Sequence, residues 1–454
     1  METMSLEKEK ISKLLIKFST PAIVGMLVNA LYGAVDTMFV GKFVNAKALA
    51  GVGFTFPVTN IIMAFGMLVG IGAAARISIA LGSKKKIRAE KILGNAIILM
   101  VIISLLISIT GVIFAGLIMK FFGASGEVEN YALIFIRIML AGSVFQIVGL
   151  GLNNVVRSTG SPKIAMITMI IGGVVNIILD YIFIVPLKMG VAGAAYATII
   201  AQAISCIWVV AYFFGKGSLL KIKISNLKLS MPIVLSIISI GMAPFFLQIA
   251  ASIIQVILNK QITDYSFQNY NAVSAMAIIS RLAMILLMPI FGINQGVQPI
   301  IGYNYGAKQY DRVKEALKLA MIAATVICVL DFAIIQLLPD KLLGLFTDIE
   351  KDKEVITIGT NAMRIYCLGF SMIGFQVIAS SFFQSIGKAG MSMVLSLSRQ
   401  VGLLIPLLII LPMLLGLKGI WIAAPVSDFL AFAISIFMIR RELKNLDKRK
   451  MELL

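Results

Sequence analysis

Long apolar segments follow one another along the chain, each bounded by charge, glycine or proline. They fall at about 14–41, 49–81, 92–119, 130–156, 163–187 and 190–214. A second set falls at about 231–260, 270–305, 314–338, 357–386, 389–414 and 418–439. Each is long enough for a helix that crosses a bilayer. The pattern predicts twelve transmembrane helices, called spans 1 to 12 below. The basic stretch GKGSLLKIKISNLKLS at 215–230 separates six from six. The expected division is an N-terminal six-helix bundle (1–214), a cytoplasmic basic linker (215–230) and a C-terminal six-helix bundle with a basic cytoplasmic tail (231–454).

Composition agrees with the pattern. Of 454 residues 59% are hydrophobic and only 13% charged, where soluble domains carry about 25% charged residues. This is the composition of an integral membrane protein. The first apolar run is too long for the core of a cleavable signal peptide.

A net charge of +19 would suit a nucleic-acid partner, but the placement of the charges argues against one. The segments after every second span, with the two termini and 215–230, hold 26 of the 40 Lys and Arg, and the opposite loops hold 9. By the positive-inside rule both termini are cytoplasmic, and the basic patches, 157–163 among them, are topology signals. The acidic segment 340–354 falls outside. Cys206, Cys328 and Cys367 each stand alone in apolar runs and read as small buried hydrophobes. The chain has no histidine, which removes the usual acid–base catalyst and the commonest metal ligand. It also has no HExxH, GxSxG or Walker A motif. An enzyme is not expected, and any pumping draws on an ion gradient.

The chain is duplicated. ALGSKKKIRAEKIL (80–93) matches NYGAKQYDRVKEAL (304–317), with Gly82 on Gly306, Lys84 on Lys308 and Arg88 on Arg312. NNVVRSTGSPKIAM (153–166) matches SSFFQSIGKAGMSM (380–393), with Gly160 on Gly387. Arg137 falls on Arg364 and Gly193 on Gly419. Six helices per repeat is an even number, so the second repeat enters from the same side as the first. The fold class is therefore an all-α integral membrane protein of twelve helices, in two pseudo-symmetric six-helix bundles (parallel repeats) around a central cleft. One chain supplies a complete cleft, so a monomer suffices. Pro21, Pro57, Pro244, Pro289 and Pro299 lie inside spans 1, 2, 7 and 8, which are expected to bend.

A few polar residues interrupt the apolar runs. Asp36 in span 1 lies about 7 Å from the outer end, counting 1.5 Å per residue. Its repeat partner is Asn259, so the scaffold does not demand an acid there. Asn176 and Asp180 in span 5 are four apart and share a helix face. Thr198 in span 6 falls at similar depth. Intramembrane acids are functional by default. Two carboxylates, an amide and a hydroxyl make an oxygen-rich site for a proton or Na⁺. Met26, Asn29, Tyr32 and Asp36 fall near one face of span 1, and that face lines the expected cleft with Gln255 of span 7. Arg399 and Asp428 lie near mid-membrane in spans 11 and 12 and are expected to form a structural ion pair. Asp331 is expected near Arg364.

Five motifs carry a resemblance: DTMFVG (36–41), ALGSKKKIRAEK (80–91), RSTGSPK (157–163), NIILDYIF (176–183) and GVAGAAYAT (190–198). Together they resemble the multidrug and toxic compound extrusion (MATE) family, end to end, and are most similar to its bacterial MepA-like branch. The resemblance implies a multi-pass protein of the bacterial cytoplasmic membrane. It implies a secondary active antiporter that exports small organic cations and lipophilic drugs in exchange for H⁺ or Na⁺, with no cofactor. The coupling residues it implies are Asp36, Asn176, Asp180 and Thr198. Another branch of the family uses acids in helices 7 and 10. Here span 7 offers Gln255 in place of an acid, and span 10 has no acid. The alternative within the superfamily is a flippase or exporter of a lipid-linked or anionic substrate, which needs several Arg or Lys in the cleft.

Overall fold

The computed structural model describes residues 6–265, 270–347 and 353–452, and these are helical throughout apart from turns and short connections. Eleven helices are long and apolar enough to cross a membrane, and a bent pair supplies a twelfth span. The first six spans are Ile11–Phe43, Ala46–Gly82, Lys86–Phe121, Gly126–Ala141 with Ser143–Ser158, Pro162–Ile184 and Gly190–Phe214. The second six are Met231–Tyr265, Tyr270–Gly306, Tyr310–Leu337, Lys353–Ser385, Ala389–Leu415 and Leu417–Met451. This is the all-α, twice-six architecture that the sequence predicts.

Span 3 shows how the chain meets lipid. Leu105, Leu106, Ile109, Ile113 and Leu117 are exposed, and Ser104, Gly111, Ala115 and Met119 are buried. The helix is apolar all round, and one face, which includes the small residues Ser104, Gly111 and Ala115, meets protein while the other turns outward.

The duplication is visible in the turns. Lys84 and Lys308 end spans 2 and 8 with φ of 58° and 61°. Each closes a turn with the same two bonds: Lys84 N–H to Leu81 O with Lys85 N–H to Ala80 O, and Lys308 N–H to Tyr305 O with Gln309 N–H to Asn304 O. Gly160 and Gly387 repeat this pattern after spans 4 and 10, at φ 98° and 78°. These are left-handed helix caps that satisfy the last free carbonyls. The repeat-matched residues sit at matched positions in all four.

The prolines do not break their spans. All five prolines lie within continuous helices. The sharp break, 54°, separates Ala141 from Ser143 in span 4. A Cβ on Gly142 would collide with the Ile199 side chain, so that position must stay bare. Its repeat counterpart Gly369 ends a 3₁₀ turn, Cys367–Gly369, and is pressed in the same way against Asp428. Lost helical bonds at proline are tolerated in long packed spans, whereas a crossing that leaves no room for a side chain forces the backbone.

The two halves meet through spans 1 and 8 and through spans 2 and 7, pairs that exchange under the repeat symmetry. The contacts are of bare backbone. A Cβ on Gly241 would overlap the Leu68 carbonyl, and one on Gly72 the Ile237 carbonyl. Gly82 is pressed against Tyr303 O and Gly306 against Ile79 O, while Gly292 and Gly296 meet Ile23 and Ser19. Phe65 and Phe245 touch edge to face at 4.9 Å between centroids. All these contacts lie in the part of each span nearest the termini. Farther along, Gly33 and Gly53 have nothing within 4 Å of a Cβ position. The cleft is shut at the end that carries the termini and open at the other.

The linker is docked rather than loose. Lys223 reaches Glu90 at 2.7 Å, the Ser230 N–H donates to Asn95 Oδ1 at 2.7 Å, and Asn226 O fills the space a side chain on Gly94 would need.

The closed end carries a direct test. A methyl group at Gly241 costs about 1–3 kcal/mol because the Leu68 carbonyl has no room to yield. Alkylation of Ile237→Cys, buried at this seam, is expected to speed up roughly tenfold in Gly241→Ala by the usual free-energy conversion. Gly33→Ala, in open space, should leave the rate unchanged.

Candidate functional site

Spans 1 and 5 run side by side in the same direction. A Cβ on Gly25 would meet Met169 Sδ, and farther along one on Gly173 would meet Val28 and Tyr32. One turn beyond Gly173 and Tyr32 come Asn176 on span 5 and Asp36 on span 1, and one turn further Asp180 on span 5. Span 6 runs the opposite way against span 5: Ser205 Oγ donates to Thr168 O at 3.3 Å, and Asn176 Nδ2 to Thr198 Oγ1 at 3.4 Å. Ala194, Ala195 and Ala197, fully buried, allow this close approach.

The four coupling candidates are thus carried by three packed helices. Asp180 is 0% exposed and Asn176 1%. The Asp36 and Asp180 carboxylates are near enough to feel each other's charge. Thr198 donates its hydroxyl back to Ala194 O at 2.9 Å. That leaves both Asp180 oxygens, Asn176 Oδ1 and Asp36 Oδ1 buried with no donor among the described residues. A nest of acceptors with no donors is costly in a low dielectric and is completed by a proton or a hard cation. Two carboxylates suit a single monovalent ion, and the described residues hold no cluster of three His, Cys, Asp or Glu.

The cleft candidates scatter. Met26 Sδ accepts from Gln295 Nε2 of span 8 at 3.4 Å and so lies at the floor of the cleft. Tyr32 packs beside Gly173 and within the field of Asp36. Asn29 is exposed. Gln255 is also exposed, and its amide is taken by Asn259 Oδ1 at 3.1 Å on its own helix.

In the second half Arg399 Nε meets Asp428 Oδ1 at 2.5 Å, with Asp428 3% exposed. Arg399 sits on a π-helical turn, Ser398–Leu404, which swings its side chain towards span 12. Gln376 donates to the Asp428 carbonyl at 2.6 Å. The expected pairing of Asp331 with Arg364 is absent among the described residues: Arg364 is exposed, and Asp331 turns inward beside Cys328.

One residue is misread by sequence alone. Arg157, taken as a cytoplasmic topology charge, is only 6% exposed. The bend at Gly142 carries the end of span 4 back under the cleft, where Arg157 donates to Gln295 across the seam and to Asn153 Oδ1 at 3.2 Å. Its repeat counterpart Gln384 likewise accepts from Gln298 of span 8, at 3.1 Å. The available signal was the run NNVVR, polar on one helix face, with an uncharged partner in the second repeat.

The sequence model of the MatE family matches residues 21–182 and 244–410, one stretch in each repeat. The chain is 28% identical to the multidrug export protein MepA of Staphylococcus haemolyticus over 441 residues, 96% of each chain. It superposes on the MATE multidrug transporter DinF-BH, solved in complex with a ligand, with a TM-score of 0.89 and 38% identity, over 96% of both chains. For the crystal structure of MATE in complex with MaL6 the TM-score is 0.93 at 26% identity, covering 99% of this chain and 100% of that one.

The Arg399–Asp428 pair has a testable cost. Removing one partner strands a buried charge, so Arg399→Gln or Asp428→Ala is expected to destabilise the purified protein by about 3–5 kcal/mol. The double variant Arg399→Met with Asp428→Leu should lose clearly less than either single change. Equal losses in thermal unfolding would show that the pair does not act as a unit.

Proposed function

The chain belongs to the MATE (MatE) family of transporters, in its MepA-like branch, and on that premise we propose that it is a secondary active antiporter. It exports organic cations and lipophilic drugs in exchange for H⁺ or Na⁺. The observation that carries this reading is the carboxylate pair Asp36–Asp180: both Asp180 oxygens, Asp36 Oδ1 and Asn176 Oδ1 are buried without a donor among the described residues. Residues 1–214 form the bundle that holds the coupling site, and 231–454 form the opposing bundle, joined by 215–230. A single chain works alone in the cytoplasmic membrane, with both termini inside. The closed end then faces the cytoplasm, and the cleft opens outward.

In that state the ion reaches Asp36 and Asp180 from outside. A proton turns one carboxylate into a donor, while Na⁺ takes the free oxygens of Asp36, Asn176 and Asp180 with the Thr198 hydroxyl. Either removes negative charge beside the cleft face of span 1 and weakens the hold on a cationic drug, which leaves outward. Each charge that crosses 100 mV contributes about 2.3 kcal/mol, enough for roughly a fortyfold gradient at tenfold per 1.4 kcal/mol. The relatives' names, a multidrug export protein and a multidrug transporter, support the substrate class. Arg157 at the cleft floor is a feature that favours an anionic or lipid-linked substrate.

Energised cells loaded with ethidium test this. Wild type is expected to expel the dye. Asp36→Asn and Asp180→Asn should each cut efflux at least about tenfold, the loss expected from about 1.4 kcal/mol or more. Separate Na⁺ and pH gradients in proteoliposomes then name the ion. Efflux that survives both substitutions would remove the coupling assignment, and no efflux by wild type would remove the drug reading.

A further inference from the structure

Arg157 is a buried cation with no ion-pair partner among the described residues. It is 6% exposed, and its partners are two neutral amide oxygens, those of Gln295 and Asn153. Its Nε–H has no acceptor among the described residues. Beside it lies a small cavity at the seam between the halves, lined by Ser78, Asn154, Ser158, Gln295 and Gln298. Ala74, Ala75 and Pro299 complete the lining, so Arg157 with these amides and hydroxyls forms one polar part of the wall. Ser78 Oγ is held only by a long 3.4 Å bond to Ser158 O and is free to turn into the cavity. There is room for about one body the size of a water molecule. An unpaired guanidinium in a low-dielectric interior is costly, and a single small anion would neutralise it.

We propose that the cavity beside Arg157 is a binding site for one small monovalent anion of the chloride class. Arg157, Asn154 and Ser158 belong to span 4, Ser78 to span 2, and Gln295 and Gln298 to span 8, so the bound anion lies between the two halves. Such an anion stabilises the closed end, because opening the seam would pull Gln295 from Arg157 and admit water to the charge. The site lies about ten residues of span 1 from Asp36, some 15 Å, and is separate from the coupling nest. The inference stands whatever the exported substrate is.

Two measurements on the full-length protein test it. Crystals grown in sodium bromide should show an anomalous peak beside Arg157 Nε, and an empty or water-filled cavity there would overturn the proposal. In detergent at constant ionic strength, replacing chloride by gluconate, too large for the cavity, should speed alkylation of Ile237→Cys. The expected change is roughly tenfold at a chloride concentration about ten times its dissociation constant. The dependence should vanish in Arg157→Gln. A chloride effect of equal size in Arg157→Gln, or none in the parent, would place the ion elsewhere or nowhere. If Arg157→Gln does not fold, the bromide peak in the unsubstituted protein still decides the matter.

Discussion

Lipid removes the force that drives most helices together. A leucine is as comfortable against an acyl chain as against another leucine, so spans associate by close packing and by polar contacts. In this protein the two halves meet where side chains are missing. Gly72, Gly82, Gly241, Gly292, Gly296 and Gly306 bring backbone against backbone or against the base of a side chain. Everything else follows from where these glycines lie. They occupy the part of spans 1, 2, 7 and 8 nearest the termini, so that end is shut and the far end is left to water. A seam built on contacts this tight is either made or unmade, since a small separation forfeits much of the dispersion attraction. Such a contact suits a protein with two discrete arrangements.

Polarity is distributed against this frame in two opposite ways. Near the open end, between spans 1, 5 and 6, buried oxygen acceptors stand without donors among the described residues. At the closed seam, below the bend in span 4, a guanidinium outnumbers its counter-charges. The Arg399–Asp428 pair in the second half is balanced within itself. The Asp36–Asp180 pair and Arg157 both lie in the first half and have no acidic or basic counterpart at the matched positions of the second, an asymmetry laid over a symmetric scaffold.

Much of this was legible in the sequence. The span count, the duplication and the class of fold follow from apolar length and from matched motifs, which report forces that act locally along the chain. Asp36, Asn176, Asp180 and Thr198 could be chosen because a polar residue in an apolar run stands out, and their common depth follows from helical rise. The break in span 4 was not legible. Proline signals a lost hydrogen bond, but the break at Gly142 lies where Ile199, 57 positions away in the chain, leaves no room for a side chain. Arg157 was hidden for the same reason. Its place in the sequence is that of a loop charge, and only the bend above it turns it beneath the cleft. Asp331 was assigned to Arg364 on depth alone, and depth says nothing about rotation around the helix axis.

The docked linker has a mechanical meaning. Its last residues are pinned to span 3 through Lys223, Asn226 and Ser230, immediately before Met231 begins span 7. The second half is therefore attached to the first at a fixed point on the closed side, and span 7 is a lever that starts there. With 35 residues it is about 50 Å long. A turn of about ten degrees at the pinned end would carry its far end by roughly 9 Å, about the diameter of a helix. The wide part of the machine can thus be worked from its narrowest joint, and a modest rearrangement at the seam is geared up into a passage the size of a drug.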